Sequence, residues 1–175
     1  DLAAMVRDVG MLFDHRCSQK SLHWSIDSSC ESYLPVQGDQ AKLRQVLINL
    51  LGNAVKYTDQ GSITLKLESP EPEHYYFEVI DTGQGISKHD QQLLFKSFYQ
   101  GDNSASRGGT GLGLSIAAKQ LQLMGSELKL ESLENQGSRF FFTVELPEAT
   151  GELEVREADT RPVLRLQEGC TVRAL

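Results

Sequence analysis

Features that would indicate an oxidising compartment or a membrane are scarce in this 175-residue chain. It has only three cysteines, Cys17, Cys30 and Cys170. None forms a Cys-x-x-Cys pair, and an odd number cannot all pair within one chain. A reducing compartment is the simplest interpretation. No apolar run reaches the length of a membrane span, and the first residues lack a signal-peptide pattern. We therefore expect a cytoplasmic chain that is not inserted in a membrane.

Positive charge is also in short supply. The chain has 17 Lys and Arg against 24 Asp and Glu, which gives a net charge of −7. Because DNA, RNA and anionic lipids attract basic surfaces, this charge argues against general binding to them, and no nucleic-acid partner is expected. A small anion could still bind in a locally basic pocket. The length and the 39% hydrophobic content suffice for one well-buried domain.

Apolar side chains at helical spacing predict four helices. Asp39 is a good N-cap, Ser87 opens a capping box with Asp90, and Gly125 would end the last helix. The predicted helices cover residues 2–17, 40–58, 87–94 and 112–124.

Alternating apolar residues between the helices predict strands. A short extended piece is expected at 33–36, and Pro70 and Pro72 mark a loop. Because the strands are joined by short turns, we predict an α/β (α+β) two-layer sandwich, with a mixed, largely antiparallel sheet and helices on one face. The predicted strands cover residues 22–27, 63–67, 75–80, 128–133 and 140–146.

The second helix carries a polar face with potential for metal binding. Asn49, Asn53 and Lys56 are spaced so that they share one side of the helix. An amide oxygen is a hard neutral ligand suited to Mg²⁺ that already has phosphate oxygens and waters around it. The alternative is an amphipathic helix whose polar face is simply solvated.

Asp81 ends a predicted strand and begins an Asp-x-Gly-x-Gly segment with Gly83 and Gly85. A carboxylate there could accept a hydrogen bond from the adenine amino group, which guanine does not present at that position. The glycines would let the backbone approach a flat base. A tight strand-to-helix turn explains the same residues equally well.

A dense glycine run precedes the last helix. Gly109, Gly111 and Gly113 alternate, unlike the Rossmann spacing, and no Gly-Lys-Ser/Thr follows as in a Walker A loop. Small residues expose backbone N–H groups, and a helix N-terminus favours anions. A flexible hinge is the weaker alternative.

Four segments follow one another along the chain: Asn49–Ala54, Asp81–Gly85, Phe95–Phe98 and Gly109–Leu114. In this order they resemble the N, G1, F and G2 boxes of the histidine-kinase ATP-binding domain, in the wider family that includes DNA gyrase, Hsp90 and MutL. The resemblance covers roughly residues 1–147 and implies a Bergerat-type fold with ATP and Mg²⁺ as ligands.

The resemblance also implies roles for individual residues. Asn53 would bind the metal, Asn49 would support the metal shell or the phosphates, and Lys56 would meet phosphate charge, which makes Asn49 and Lys56 the catalytic candidates. The segment 99–108 would be the ATP lid. Arg107 could reach phosphate from it or be a solvated charge, and Phe95 and Phe98 would be core residues that support it. The other implied nucleotide-binding residues are Tyr57, Asp81, Gly83, Gly85, Ile86, Phe98, Gly109, Thr110, Gly111, Leu112, Gly113, Leu114 and Thr143.

Two departures bear on the activity. The family's ATPases place a Glu where this chain has Asn49, and an amide cannot act as a general base, so slow ATP hydrolysis is expected. The phospho-acceptor His, usually followed by an acid and soon by Pro, is missing. Only His89 precedes an acid, and Asp90 is explained by the capping box.

The sequence thus predicts the catalytic domain of a hybrid sensor histidine kinase over residues 1–148, either cytoplasmic or the cytoplasmic part of a membrane-bound sensor. It would donate the γ-phosphate to a His on a separate helical dimerisation domain, with a receiver domain or response regulator downstream. Residues 149–175 would be a linker and the start of a receiver domain, and the fragment, cut from a longer protein, would be monomeric. The alternatives are a degenerate ATP-binding scaffold and a serine kinase of the anti-sigma type.

Overall fold

In a computed structural model, the described residues are 1–95, 99 and 111–149. They form four helices and five strands. In chain order these are α1 (Leu2–Gln19), β1 (His23–Ser28), α2 (Gln40–Tyr57), β2 (Ser62–Glu71), β3 (His74–Asp81), α3 (Lys88–Gln91), α4 (Gly113–Leu123), β4 (Lys129–Leu133) and β5 (Gly137–Glu145).

The five strands form one mixed sheet in the order β1-β2-β3-β5-β4. Strand β1 runs parallel to β2, and every other neighbouring pair is antiparallel. In the central pair, Asp81 at the end of β3 lies opposite Ser138 at the start of β5. This register brings the last residue of β3 beside the first residues of β5, where the site described below lies.

One face of the sheet is buried against helices α1, α2 and α4. The alternating residues Ile63, Leu65 and Leu67 of β2 are fully or almost fully buried, and so are Leu47, Leu50 and Leu51 of α2. These side chains belong to one continuous core cluster. The burial pattern therefore confirms a two-layer α/β sandwich with its helices on one face.

The opposite face of the sheet carries a polar cluster around Arg139. Its guanidinium bonds Glu78, which is only 6% exposed, as well as Glu131 and the hydroxyl of Tyr76, and it lies over the ring of Phe141. These contacts satisfy the buried Glu78 carboxylate.

The predicted helix starts and the last helix end are confirmed. Asp39 caps α2 by accepting from the N–H of Lys42 at 2.9 Å, and Ser87 caps α3 by accepting from that of Asp90 at 3.0 Å. Helix α4 ends before Gly125, whose φ of +73° favours glycine.

Three predictions about local structure were wrong. Pro70 lies within β2 rather than in a loop, because the register with β3 shifts between Glu68 and Glu71 and the irregular pairing accommodates a proline. Helix α3 ends at Gln91 instead of Leu94, since the following backbone bonds are of the tighter 3₁₀ type. Phe95 is 37% exposed and is not a core residue.

Within the described ranges, no helix combines the length and the apolar character that crossing a bilayer requires.

Candidate functional site

A cavity of about 620 Å³ opens between α2, the end of β3, the start of β5 and the N-terminus of α4. Its wall includes polar groups from α2, the buried carboxylate of Asp81, and Ser138 and Phe140 of β5. A space of this size takes a drug-sized or nucleotide-sized ligand. The cavity therefore lies where three of the four predicted segments meet.

Helix α2 lines this cavity with its last two turns. Asn53, Lys56 and Tyr57 are all on the wall, and the Lys56 ammonium lies 4.7 Å from the centroid of the Tyr57 ring. The apolar side of the same helix is fixed in the core by Val46, Leu47 and Leu50. Because the helix is anchored on one side, its polar side presents these groups at fixed positions.

Asn49 lies one turn earlier on α2, against the start of α4. A Cβ added to Gly113 would lie 3.8 Å from the Asn49 Oδ1 atom. That oxygen accepts from Gln45 Nε2 at 3.1 Å, whereas the buried Asn49 Nδ2 has no partner among the described residues. Asn49 is not on the cavity wall, but it lies beside Gly113, the first residue of α4, which is on the wall.

Asp81 supplies a buried carboxylate to the cavity. It is only 7% exposed, and its Oδ1 accepts from the Gly83 N–H at 2.9 Å. Burial raises the pKa of Asp81 above its ordinary value, although backbone N–H groups of Gly83 and Ser138 oppose the shift. Such a carboxylate, with lone pairs to spare, can accept from a donor on a ligand.

The loop after Asp81 is fixed on both sides. The Gln84 N–H donates to the Tyr57 carbonyl at 3.3 Å, and the Gln84 carbonyl accepts from the Asn135 N–H at 2.7 Å. Gly85 has a φ of +66° and approaches the β4–β5 turn closely. The loop is therefore a rigid wall that joins α2 to the β4–β5 hairpin.

The structure brings together most of the predicted site residues that it describes. Gly83 packs just behind the wall, against Tyr57 and Thr58, and Leu112 is the N-cap residue of α4. Phe98, Arg107, Gly109 and Thr110 lie outside the described residues, as does the predicted lid apart from Tyr99. The predicted residues on the wall are Asn53, Lys56, Tyr57, Asp81, Gly85, Ile86, Gly111, Gly113 and Leu114.

The prediction for Thr143 was wrong. Thr143 is exposed, whereas Phe140, Phe142 and Val144 of the same strand are buried. Side chains alternate across a strand, so an odd offset from Phe140 puts Thr143 on the open face of the sheet. Its backbone carbonyl accepts from Ser126 there.

Sequence reasoning missed several wall residues. Ser138 could have been found from strand alternation, because it lies two residues before Phe140. Tyr99, whose hydroxyl donates to Asp90 at 2.6 Å, was predicted only as the first residue of the lid and was given no site role of its own. The other missed wall residues are Ala54, Gln84, Ser87, Asp90, Leu94, Glu134, Asn135 and Phe140.

The raised pKa of Asp81 predicts a pH dependence of stability. A carboxyl whose pKa is higher in the folded state makes the folded state bind more protons, so the free energy of unfolding falls as pH rises from about 3.9, the ordinary Asp value, through the raised value. We expect the ligand-free wild type to lose stability relative to Asp81→Asn over this range. Urea unfolding of both proteins at a series of pH values measures the difference in their free energies of unfolding. A difference that does not change with pH would contradict a raised pKa for Asp81.

Known proteins match both the sequence and this geometry. The family model of histidine kinase-, DNA gyrase B- and HSP90-like ATPases matches residues 38–150. Sensor protein GacS of Pseudomonas syringae pv. syringae is 42% identical over 127 residues, which are 69% of this chain and 14% of GacS. The signal transduction histidine-protein kinase BarA of Escherichia coli K12 is 36% identical over 151 residues, 83% of this chain and 16% of BarA.

Solved structures agree. Full-length ShkA in complex with AMPPNP superposes with a TM-score of 0.75 at 30% identity, covering 86% of this chain and 31% of ShkA. The catalytic domain of histidine kinase ThkA superposes with a TM-score of 0.71 at 28% identity, covering 83% of this chain and 92% of the ThkA domain. The chain belongs to the family of histidine kinase-, DNA gyrase B- and HSP90-like ATPases. Within that family it is a catalytic, ATP-binding domain of the histidine-kinase type.

Proposed function

We propose that this domain binds ATP·Mg²⁺ in the cavity and donates the γ-phosphate to a histidine on a separate helical domain. The observation that carries the proposal is that one cavity has a hydrogen-bond acceptor suited to a base on one side and polar and cationic groups suited to phosphates on another. A buried acceptor, Asp81, lies on one side, and a polar helix face with Asn53 and Lys56 lies on another, next to the N-terminus of α4.

The nucleotide would lie with its base against Asp81 and its phosphates toward α2 and α4. The Asp81 carboxylate would accept a hydrogen bond from the adenine amino group, and Gly85 and Ile86 would border the base. Lys56 supplies positive charge, and the N-terminus of α4 supplies backbone N–H groups that favour an anion. Orientation and charge neutralisation are the main requirements of phosphoryl transfer.

The donor set fits Mg²⁺ as a companion of the nucleotide. No group of three or more His, Cys, Asp or Glu residues in the described ranges could hold a metal by itself. Asn53 offers one amide oxygen on the wall, and Mg²⁺ binds through few protein ligands when phosphates and waters complete its shell. When bound, the ion would neutralise phosphate charge. Asn53 would hold it, and Asn49 would support that end of the site.

The acceptor would lie outside this domain. None of the four histidines, all of which are in the described part of the chain, lines the cavity. Asn49 cannot act as a general base for water, which favours transfer over hydrolysis. The chain spans 14% and 16% of the length of GacS and BarA, so the helical acceptor domain and a receiver domain or response regulator are proposed as partners. ThkA has been solved in complex with the response regulator TrrA, which supports this proposal.

Nucleotide binding tests the first half of the proposal. We expect wild-type domain to bind a non-hydrolysable ATP analogue in a Mg²⁺-dependent manner and to bind the GTP analogue much more weakly. Asp81→Asn should reduce ATP affinity about ten- to a hundredfold, because a charge-assisted hydrogen bond is lost. Asp81→Asn should also lower the ratio of ATP affinity to GTP affinity, since the Asn side-chain amide can donate a hydrogen bond to guanine. Calorimetry measures the ATP affinity and the ATP-to-GTP ratio. Unchanged ATP affinity in the variant would show that Asp81 does not contact the nucleotide.

Phosphoryl transfer tests the second half. The domain and a helical domain from the longer protein are incubated with [γ-³²P]ATP, and the product is treated with acid. Label on the helical domain that is lost in acid supports histidine phosphorylation. Acid-stable label on Ser would support the serine-kinase alternative, and ATP binding without transfer would support the scaffold.

A further inference from the structure

Ser132 makes an unusual set of hydrogen bonds beside the cavity. It lies on β4 directly opposite Ser138 of β5, and both are turned toward the helical layer. Its Oγ atom is 2.9 Å from the Ile86 N atom, 2.9 Å from the Gly137 O atom and 3.0 Å from the Ser138 Oγ atom. One hydroxyl thus joins the loop after Asp81 to the first residues of β5.

The proton count fixes the direction of each bond. The Ile86 N–H can only donate, so Ser132 Oγ accepts from it. The Gly137 carbonyl can only accept, so the single Ser132 proton goes there. A hydroxyl has one proton and two acceptor sites, and therefore the bond between the serines must use the proton of Ser138.

Because its proton is donated to Ser132, the Ser138 hydroxyl can offer only acceptor lone pairs to any other partner. Ser138 lines the cavity next to Asp81, and its backbone N–H supports the Asp81 carboxylate. Any further partner of the Ser138 hydroxyl has to be a donor. Asp81 likewise presents only acceptor oxygens when ionised. An adenine amino group satisfies such a wall, whereas the guanine O6 atom is an acceptor and does not.

We infer that Ser132 is a positioning residue that sets nucleotide selectivity by holding the Ser138 hydroxyl in its acceptor state. The inference rests on the proposed binding of ATP in this cavity. Ser132 itself is not on the cavity wall. It acts through Ser138, and the Gln91 side chain, which donates to the Ser132 carbonyl at 3.1 Å and to the Ile86 carbonyl at 2.8 Å, holds the same region together.

The test measures the ratio of ATP to GTP affinity by competition with a fluorescent nucleotide. In Ser132→Ala the Ser138 proton is free to turn toward a ligand, so we expect the ratio to fall about fivefold, as for one net hydrogen bond. Ser132→Thr keeps a hydroxyl on a strand and should keep the wild-type ratio. Ser25→Ala, which removes a serine–threonine bond on the open face of β1 and β2, is the control and should also keep it.

A double-mutant cycle separates this role from general support of the loop. In a Ser138→Ala background, Ser132→Ala should no longer change the ratio, because the hydroxyl on which it acts is absent. An unchanged ratio in Ser132→Ala alone, or an equal change in both backgrounds, overturns the inference while ATP binding stands. Wild-type domain that binds no ATP overturns the proposed function instead, and the inference with it.

Discussion

Gly85→Ala is expected to lower ATP affinity by about a hundredfold or more while leaving a folded domain. A Cβ at this position would lie 1.9 Å from the Leu133 carbonyl oxygen and 2.7 Å from the Leu133 carbonyl carbon. Both atoms belong to the backbone, so no rotamer change relieves the overlap. The φ of +66° adds strain of about 1–2 kcal/mol for a residue with a Cβ.

The loop cannot move aside without losing its bonds. The Asn135 N–H donates to the Gln84 carbonyl at 2.7 Å, and the Ile86 N–H donates to Ser132 Oγ at 2.9 Å, so both neighbours of Gly85 are tied to the β4–β5 hairpin. Separation of loop and hairpin would shift Ile86 and Ser138, which border the predicted adenine position. We expect ATP affinity to fall by about a hundredfold or more, on the order of 3 kcal/mol.

Gly125→Ala is the matched control. Gly125 has a similar φ of +73°, but a Cβ there would meet nothing within 4 Å. It should cost only the backbone strain, about 1–2 kcal/mol, and lower the melting temperature by a few degrees without changing ATP affinity. Circular dichroism and calorimetry on both variants make the comparison. Equal ATP affinities in the two variants would show that the close approach at Gly85 is unimportant for binding.

The elements that position the site were predictable because their signals are local. The apolar stripe of α2 predicts a helix and places Asn53 and Lys56 on its polar side, and the structure puts both on the cavity wall. Asp81 was predicted at a strand end from the change in composition there. Such features depend on neighbours a few residues away, which periodicity and capping rules describe.

The residues that were missed depend on tertiary register. The contact of Gln84 with Asn135 and the bonds of Ser132 exist only because β4, β5 and the loop after Asp81 meet in one alignment. No spacing along the chain encodes that alignment. The error at Thr143 has a simpler cause: a shift of one residue in a strand moves the side chain to the other face of the sheet.

Asn53→Ala is expected to remove the Mg²⁺-dependent part of ATP binding. Asn53 is the one residue of the predicted metal shell that the structure puts on the cavity wall, while Asn49 lies behind it against Gly113. Loss of the amide oxygen removes a ligand from an ion that few protein groups hold. We expect affinity in the presence of Mg²⁺ to fall about ten- to a hundredfold, toward the value of the wild type in EDTA, as for loss of an interaction with a charged group.

Two further variants distinguish a lost ligand from a disturbed helix. Asn53→Asp keeps an oxygen at the same place and should retain Mg²⁺ dependence. Gly52→Ala changes the adjacent residue of α2, where a Cβ meets nothing within 4 Å, so it should leave Mg²⁺ dependence intact and stabilise the helix by about 0.5–1 kcal/mol. Calorimetry with and without Mg²⁺ compares the three variants with the wild type. If Asn53→Ala responds to Mg²⁺ as the wild type does, the ion is held by other groups and the polar face of α2 contributes to phosphate binding alone.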